Sequence, residues 1–242
     1  MAAAFGWGLL AASSLVIGAV IALWLRISPR VIGLIMGFGA GVLISAVAFD
    51  LVEEAVDAGS GSSVLLGIFA GCGLFFGGDT LIDRMGGENR KDSTGEQASG
   101  SSLAIVLGTV LDGIPESTVI GLTIVQGGEV GAAYLIAVFI SNLPESISST
   151  AGLAAGGWAK SRILWMWTAI ALVSAAASLA GYSLFKDSSG NVVAFVLSFA
   201  AGAILTMLAD TMMPEAYEHG GKLVGVVTTL GFVVAFAIHT LD

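Results

Sequence analysis

The sequence predicts an all-α, polytopic membrane protein with eight transmembrane helices in a 3+2+3 inverted-repeat arrangement. The prediction depends on an apolar composition, eight long apolar runs and two pairs of repeated segments. Of the 242 residues, 56% are hydrophobic and only 11% are charged, whereas a soluble domain carries about 25% charged residues. The mean hydropathy is +0.94, which is typical of a chain that lies mostly in a bilayer.

Eight apolar runs have the length that crosses a bilayer, about 20 residues. They cover residues 5–25, 32–53, 63–82, 102–125, 131–154, 163–185, 192–214 and 222–241, and we number these helices 1 to 8. No basic segment precedes the first run, which indicates a spanning helix rather than a cleaved signal. We expect one transmembrane domain over residues 1–242, with a flexible polar loop at about 83–101.

The basic residues predict the orientation of the chain. With the amino terminus outside, every lysine and arginine except Lys186 falls on the cytoplasmic side. Positive charge accumulates on the cytoplasmic side of membrane proteins. We therefore expect a multi-pass protein of the plasma membrane with both termini outside.

Some partners and cofactors are excluded by composition. The single cysteine, Cys72, excludes an intrachain disulfide and a cysteine-based zinc site. The net charge of -9 lacks the basic footprint of a nucleic-acid-binding protein. The expected partners are the lipid bilayer and cations, no prosthetic group is expected, and a homodimer stays open as an alternative to a monomer.

Two pairs of segments resemble each other. DGIPES at 112–117 matches SNLPES at 141–146, and FGAGVLISAVAFDLVEEA at 38–55 matches FAAGAILTMLADTMMPEA at 199–216. In the topology above, the two members of each pair run in opposite directions. Inverted repeats are typical of secondary transporters, whose binding site lies near the midplane where the repeats meet.

Carboxylates lie in the middle of helices 4 and 5. Asp112 and Glu116 are four residues apart and share one helix face, as Ser141 and Glu145 do, while Asn142 precedes Glu145 by three residues. An ionised carboxylate at this depth costs roughly 2.5–3.5 kcal/mol. A divalent cation would neutralise two of them. We therefore expect these five residues to be metal ligands and helices 4 and 5 to pack together there.

Prolines interrupt both helices beside these carboxylates. Pro115 cannot donate to the carbonyl of Leu111, and Pro144 cannot donate to that of Ile140. We expect a kink at each proline and a carbonyl that lines a cavity.

Other functions remain open at this point. The carboxylates could be protonated acids that bond neighbouring helices, or a proton relay without metal. A cation channel or a proton-coupled carrier of another solute would use the same residues. An intramembrane metalloenzyme is disfavoured, because such sites usually need several histidines and the chain has only His219 and His239, neither near the carboxylates.

At these residues the chain resembles the ZIP (Zrt-, Irt-like protein) family of divalent metal transporters. The family motif His-Asn-x-Pro-Glu-Gly of helix 4 corresponds to DGIPES, and the Asn-x-Pro-Glu element of helix 5 corresponds to SNLPES. The stretch LADTMMPEAYEHGG also resembles an acidic Pro-Glu-Ala segment of the family. The family histidine is replaced by Asp112, its asparagine by Gly113, and the motif glycines by Ser117 and Ser146.

The resemblance implies a binuclear-like site with Glu116 and Glu145 as bridging ligands. Asp112 and Ser141 would serve one metal position and Asn142 the other. It also implies uptake of divalent metal, with zinc first. An all-oxygen ligand set suits manganese, iron(II) or magnesium better than a set with histidine does, so iron or manganese is a possible substrate as well.

Further polar residues lie at the ends of helices 2 and 7. Asp50 and Glu54 could form an entrance that concentrates cations, or could be an ordinary solvated helix end. Asp210, Glu215 and His219 could form an exit. We expect His239 at the membrane interface, and the same position for three tryptophans, Trp158, Trp165 and Trp167.

Overall fold

The computed structural model describes residues 1–25, 27–87, 102–127 and 132–241, and these ranges contain helices and no strand. Eight long helices follow one another. They are α1 (Ala2–Trp24), α2 (Pro29–Ala58), α3 (Gly61–Gly87), α4 (Ser102–Gly127), α5 (Ala132–Ala155), α6 (Lys160–Phe185), α7 (Gly190–Gly220) and α8 (Leu223–His239). The all-α class and the eight predicted helices are confirmed.

Local capping explains where α2 and α3 begin. Ser28 precedes α2 and its hydroxyl accepts a hydrogen bond from the amide of Val31, while Pro29 occupies the first turn. Ser60 caps α3, and its own amide donates to Oδ1 of Asn191 at 2.8 Å. The amino-terminal ends of α3 and α7 are therefore joined directly.

The end of α3 differs from the prediction. Residues 83–87 were expected in the flexible loop, but they form a π-helical turn that continues α3. Gly86 ends this turn with φ of 91°, a conformation that glycine adopts without steric cost. The rest of the predicted loop lies outside the described residues.

Most of the helices are suited to crossing a membrane. Six of the eight, α1, α2, α3, α4, α6 and α7, are long and apolar enough to do so. Helix α8 is apolar but has only 17 residues. Helix α5 has 24 residues, and the polar stretch SNLPESISST lowers its hydropathy. These features show a polytopic membrane protein, with its most polar helix shielded inside the bundle.

Helix packing shows the inverted repeat directly. Helix α3 packs on α7 as α8 packs on α2, and α1 packs on α5 as α6 packs on α4. The helices α1 and α6 also pack on each other, as do α2 and α7. The same set of contacts is therefore reproduced when α1 is exchanged with α6, α2 with α7, α3 with α8, and α4 with α5. The 3+2+3 arrangement is confirmed by the packing.

Close backbone contacts hold the repeated helices together. A Cβ on Gly41 of α2 would overlap the carbonyl oxygen of Thr228 on α8, and a Cβ on Gly202 of α7 would overlap that of Ile68 on α3. Gly41 and Gly202 are aligned in the sequence repeat. Small residues at such positions let membrane helices approach closely, where van der Waals packing drives association.

Both long repeats contain a π-helical turn at the aligned position. The turn in α2 covers Val47–Val52, and the turn in α7 covers Leu208–Met212. Val47 and Leu208 correspond in the alignment that pairs Phe38 with Phe199. Single π turns inside α-helices are rare and are frequent at functional sites. Their duplication is a further structural correspondence between the two halves.

The substitution Gly41→Ala tests the close packing of α2 on α8. Overpacking typically costs about 1–3 kcal/mol, so we expect the melting temperature of the purified protein to fall by about 5 °C. Gly73→Ala is the matched control, because a Cβ at Gly73 meets open space. Equal melting temperatures for the two variants would contradict the packing account.

Candidate functional site

The carboxylates of α4 and α5 are buried inside the bundle. Asp112 is 3% exposed, Glu116 2% and Glu145 6%. Asp112 and Glu116 lie one turn apart near the middle of α4, and Glu145 lies near the middle of α5. Buried acidic groups are rare unless they are paired or coordinate a metal, which makes this region the strongest candidate for a functional site.

Oxygen-bearing side chains accompany Glu145 on α5. Ser141 and Asn142 are both buried. The hydroxyl of Ser141 donates to the carbonyl of Val138 at 3.0 Å, which leaves its oxygen able to coordinate a cation. Ser146 donates to the carbonyl of Asn142 at 3.0 Å, which supports the backbone of the helix near Pro144.

Both prolines lie inside continuous helices. Pro115 falls within α4 and Pro144 within α5. A Cβ on Gly39 of α2 would lie 3.1 Å from Cγ of Pro144 and 3.3 Å from Cα of Ser141. Gly39 thus lets α2 pack tightly against the SNLPES segment. The predicted kinks at the two prolines stay predictions.

The predicted ligands are not gathered into a closed metal site in this conformation. Over the described ranges, no three His, Cys, Asp or Glu side chains are grouped so that they could hold a metal ion. Helix α4 packs chiefly on α6 and α5 chiefly on α1 and α2, and the direct contact between α4 and α5 is small. The two helices do touch, and the expected convergence of Glu116 and Glu145 between them stays a prediction. Helix α4 thus packs mainly on a helix of the last three, and α5 on helices of the first three.

One apolar turn of α4 lies between its carboxylates and its carboxyl-terminal end. One apolar turn of α5 lies between its amino-terminal end and the polar residues that begin at Ser141. Along α4, Val119 and Ile120 lie between Glu116 and Thr123, and along α5, Ala137 and Val138 lie between the first turn and Ser141; all four apolar residues are buried. We expect these apolar residues to form a constriction that blocks the passage of a hydrated ion.

A cavity of about 450 Å³ lies beyond this apolar turn. Its walls come from four helices, α2, α4, α5 and α8. The lining residues are Phe49, Asp50, Glu53, Glu54, Asp57, Thr123, Ala133, Tyr134 and His239. Five of these nine side chains carry or can carry charge, so the cavity suits a cation. Asp50 and Glu54, predicted as an entrance, both line it.

His239 joins this cavity through Asp50. Nδ1 of His239 lies 2.7 Å from Oδ1 of Asp50, and the imidazole ring lies 5.7 Å from the ring of Phe49. His239 lies in the last turn of α8 and in the cavity wall, and its expected position at the membrane interface stays a prediction. No signal in the sequence pointed to the contact of His239 with Asp50, because the inverted repeat relates α2 to α7 and α3 to α8, whereas α2 and α8 are neighbours only by packing.

The carboxyl-terminal end of α7 brings together two of the three predicted exit residues, Glu215 and His219. Nε2 of His219 lies 3.0 Å from Oε1 of Glu215, one helical turn away, and both side chains are largely buried. Asp210 lies in the π turn of α7 and is exposed. Gly33, near the start of α2, lies against the backbone of Ala216 and Gly220.

The cavity also contains Thr123 and Tyr134, which the sequence analysis did not single out. Trp167, expected at the interface, is fully buried, and its indole nitrogen donates to Thr150 at 2.8 Å. Trp165, by contrast, is 75% exposed. Whether an aromatic residue faces lipid or a neighbouring helix depends on helix rotation, which hydropathy does not report.

Labelling of introduced cysteines tests the cavity. In a Cys72→Ser background, Thr123→Cys should react with a charged, membrane-impermeant methanethiosulfonate reagent added to one face of the membrane only. Ser141→Cys should react much more slowly from that face, because the apolar turn lies between them. Equal reaction rates at the two positions would contradict the constriction.

No family model matches the chain. Two curated proteins are similar to it over nearly its whole length. A candidate zinc transporter of Arabidopsis thaliana is 26% identical over 228 residues, which cover 93% of this chain and 36% of that protein. The zinc transporter ZIPB of Bordetella bronchiseptica is 28% identical over 236 residues, which cover 92% of this chain and 74% of that protein. The chain thus spans about a third of the Arabidopsis relative. Together with the DGIPES and SNLPES segments, these similarities confirm that the chain resembles the ZIP family of zinc transporters.

Proposed function

We propose that this protein transports divalent metal cations across a membrane, through a site formed by the buried carboxylates of α4 and α5. Zinc is the expected substrate, because both relatives are named as zinc transporters. Iron(II) or manganese would be bound by the same ligands. The observation that carries the proposal is the burial of Asp112, Glu116 and Glu145 in the middle of two symmetry-related helices.

The ligand set of the proposal has Glu116 and Glu145 as bridging groups. Asp112 and Ser141 serve one metal position and Asn142 the other. In this conformation the three acids are not grouped around one point, so binding of the cation brings α4 and α5 together. A divalent cation would provide the differential interaction energy that such a change requires.

The direction of transport is inward, toward the cytoplasm. The cavity lined by Asp50 and Glu54 is the entrance, and Glu215 with His219 is near the exit. The basic residues favour a plasma-membrane protein with both termini outside. Glutamate and aspartate at the cavity raise the local concentration of cations before they reach the constriction.

Transport rather than a metalloenzyme reaction is supported by the inverted repeat and by the scarcity of histidine. The test is uptake into proteoliposomes of the purified protein, with Zn²⁺, Mn²⁺, Fe²⁺ and Mg²⁺ supplied separately. A second set of vesicles carries a pH gradient, which separates a carrier coupled to protons from an uncoupled one. Absence of uptake for every metal would contradict the proposal.

The variant Glu116→Gln should abolish uptake of every transported metal. It removes the bridging charge but keeps the size of the side chain, and the neutral amide is less costly to bury than a carboxylate. Expression should therefore stay near the level of the unmodified protein. Asp187→Asn, at an exposed loop carboxylate, is the control and should transport normally. Normal uptake by Glu116→Gln would show that this carboxylate is structural.

The variant Asp112→His should shift the preference toward zinc. An imidazole nitrogen suits zinc better than it suits manganese or magnesium, and the residue at this position is the main departure from the family motif. The measurement is competition between Zn²⁺ and Mn²⁺ for uptake, compared with the unmodified protein. An unchanged ratio would mean that metal choice is determined elsewhere in the pathway.

A further inference from the structure

A groove of about 390 Å³ lies between α4 and α6, on the outer surface of the bundle. Val106 and Val110 of α4 form one wall and are half-buried, while Ala169 and Val173 of α6 form the other wall and are exposed. Both helices are candidate membrane spans. The groove is therefore open to the lipid around the protein, and it is separate from the cavity that contains Asp50.

One end of this groove is basic and aromatic. Arg162, in the first turn of α6, is the one charged side chain among the described residues that line the groove. Its guanidinium carbon lies 3.9 Å from the centre of the Trp158 ring. Such stacking uses the face of the guanidinium, whereas its N–H donors lie at the edge, in the fork that matches phosphate. Trp158 thus orients a group that is suited to binding phosphate oxygens.

Neighbouring residues place this end of the groove where lipid meets water. Nζ of Lys160 donates to the carbonyl of Leu23 at 3.2 Å and lies 5.0 Å from the centre of the Trp24 ring. Trp165, which also lines the groove, is 75% exposed. Tryptophan is enriched at both membrane–water interfaces, and long basic side chains near helix ends reach toward them. The headgroup of a lipid beside α6 would therefore lie at the level of Arg162.

The length of the groove matches one leaflet of a bilayer. Residues 162–173 of α6 rise about 16 Å, at about 1.5 Å per residue. The hydrocarbon core of a bilayer is about 30 Å thick, so one leaflet contributes about 15 Å. The groove thus runs from the headgroup level to the midplane, and this deeper part is lined by valine, alanine, isoleucine and methionine side chains. That is the space of a single acyl chain.

The two ends of the groove together select among the possible occupants. A soluble phosphate would meet Arg162 but would leave the apolar walls uncovered. An apolar helix of a second copy would cover the walls but would bring no anion to Arg162. A phospholipid with an anionic headgroup supplies both groups at the observed separation.

We propose that this groove binds an anionic phospholipid, with the phosphate at the guanidinium of Arg162 and one acyl chain between α4 and α6. The positive charge of Arg162 favours an anionic headgroup over a zwitterionic one. The bound lipid covers the contact of α6 with α4, the helix that carries Asp112 and Glu116, and a ligand of the folded state stabilises that state. The inference does not depend on which ion the protein transports.

Native mass spectrometry of the full chain in a neutral detergent measures this binding. The probes are dioleoyl phosphatidylglycerol and dioleoyl phosphatidylcholine, which share their acyl chains and differ in net charge. We expect phosphatidylglycerol to bind about tenfold more tightly, the effect of one hydrogen-bonded contact to a charged group. Glycerol phosphate, which lacks acyl chains, should not displace it. Equal affinities for the two lipids, or displacement by glycerol phosphate, would overturn the proposal.

Two variants test the two ends of the groove separately. Arg162→Gln removes the charge and should weaken the binding of phosphatidylglycerol about tenfold, to the level of phosphatidylcholine. Ala169→Phe fills the apolar part from an exposed position and should weaken the binding of both lipids. The matched controls are Lys186→Gln, at an exposed lysine beyond the other end of α6, and Ala176→Phe, at an exposed alanine of α6. Both controls should bind the two lipids as the unmodified protein does.

The melting temperature gives a second readout. Phosphatidylglycerol should raise it more in the unmodified protein and in both controls than in Arg162→Gln or Ala169→Phe. An equal rise in all five proteins would contradict the proposed site, and if Arg162→Gln does not fold, Ala169→Phe alone decides. A dimer that dissociates in Ala169→Phe, with no lipid bound to the unmodified protein, would show that a second copy fills the groove and would likewise overturn the proposal.

Discussion

The burial of carboxylates in an apolar bundle is the constraint on which the rest of the structure depends. Each ionised carboxylate at mid-bilayer costs roughly 2.5–3.5 kcal/mol, and three lie in α4 and α5. The bundle shields these helices behind the repeats, so their polar faces meet protein. In the proposed function, a bound divalent cation offsets the cost of burial by neutralising two of the carboxylates. Acidic residues of α2 likewise line a cavity between helices.

The inverted repeat builds this environment twice. Aligned glycines, Gly41 and Gly202, bring α2 onto α8 and α3 onto α7, and aligned π turns interrupt both α2 and α7. Asp50 of α2 and His239 of α8 form one acid–histidine pair at the cavity, and Glu215 and His219 form another near the carboxyl-terminal end of α7. Two similar halves in opposite orientations can open alternately to the two sides of a membrane. The π turns, which weaken regular helix bonding beside each pair, are suitable places for such movement.

Helix number, class and repeat arrangement could be predicted from the sequence, because long apolar runs and local motifs are one-dimensional signals. The rotation of a helix is not such a signal. Trp167 was assigned to the membrane interface, yet it is buried against Thr150, and the contact of His239 with Asp50 was not expected. Tyr134 attracted no attention because a lone tyrosine in an apolar helix has no motif. The π turns were missed for a related reason, since their residues fit an ordinary helix. The ligand set on α4 and α5 remains a prediction from motif and burial.

Anomalous diffraction from crystals grown with zinc tests the central claim most directly. The account predicts a peak between α4 and α5, at the usual zinc–oxygen distance of about 2.0–2.2 Å from carboxylate oxygens of Glu116 and Glu145. Peaks confined to other parts of the protein, with Glu116 and Glu145 outside coordination distance, would contradict it.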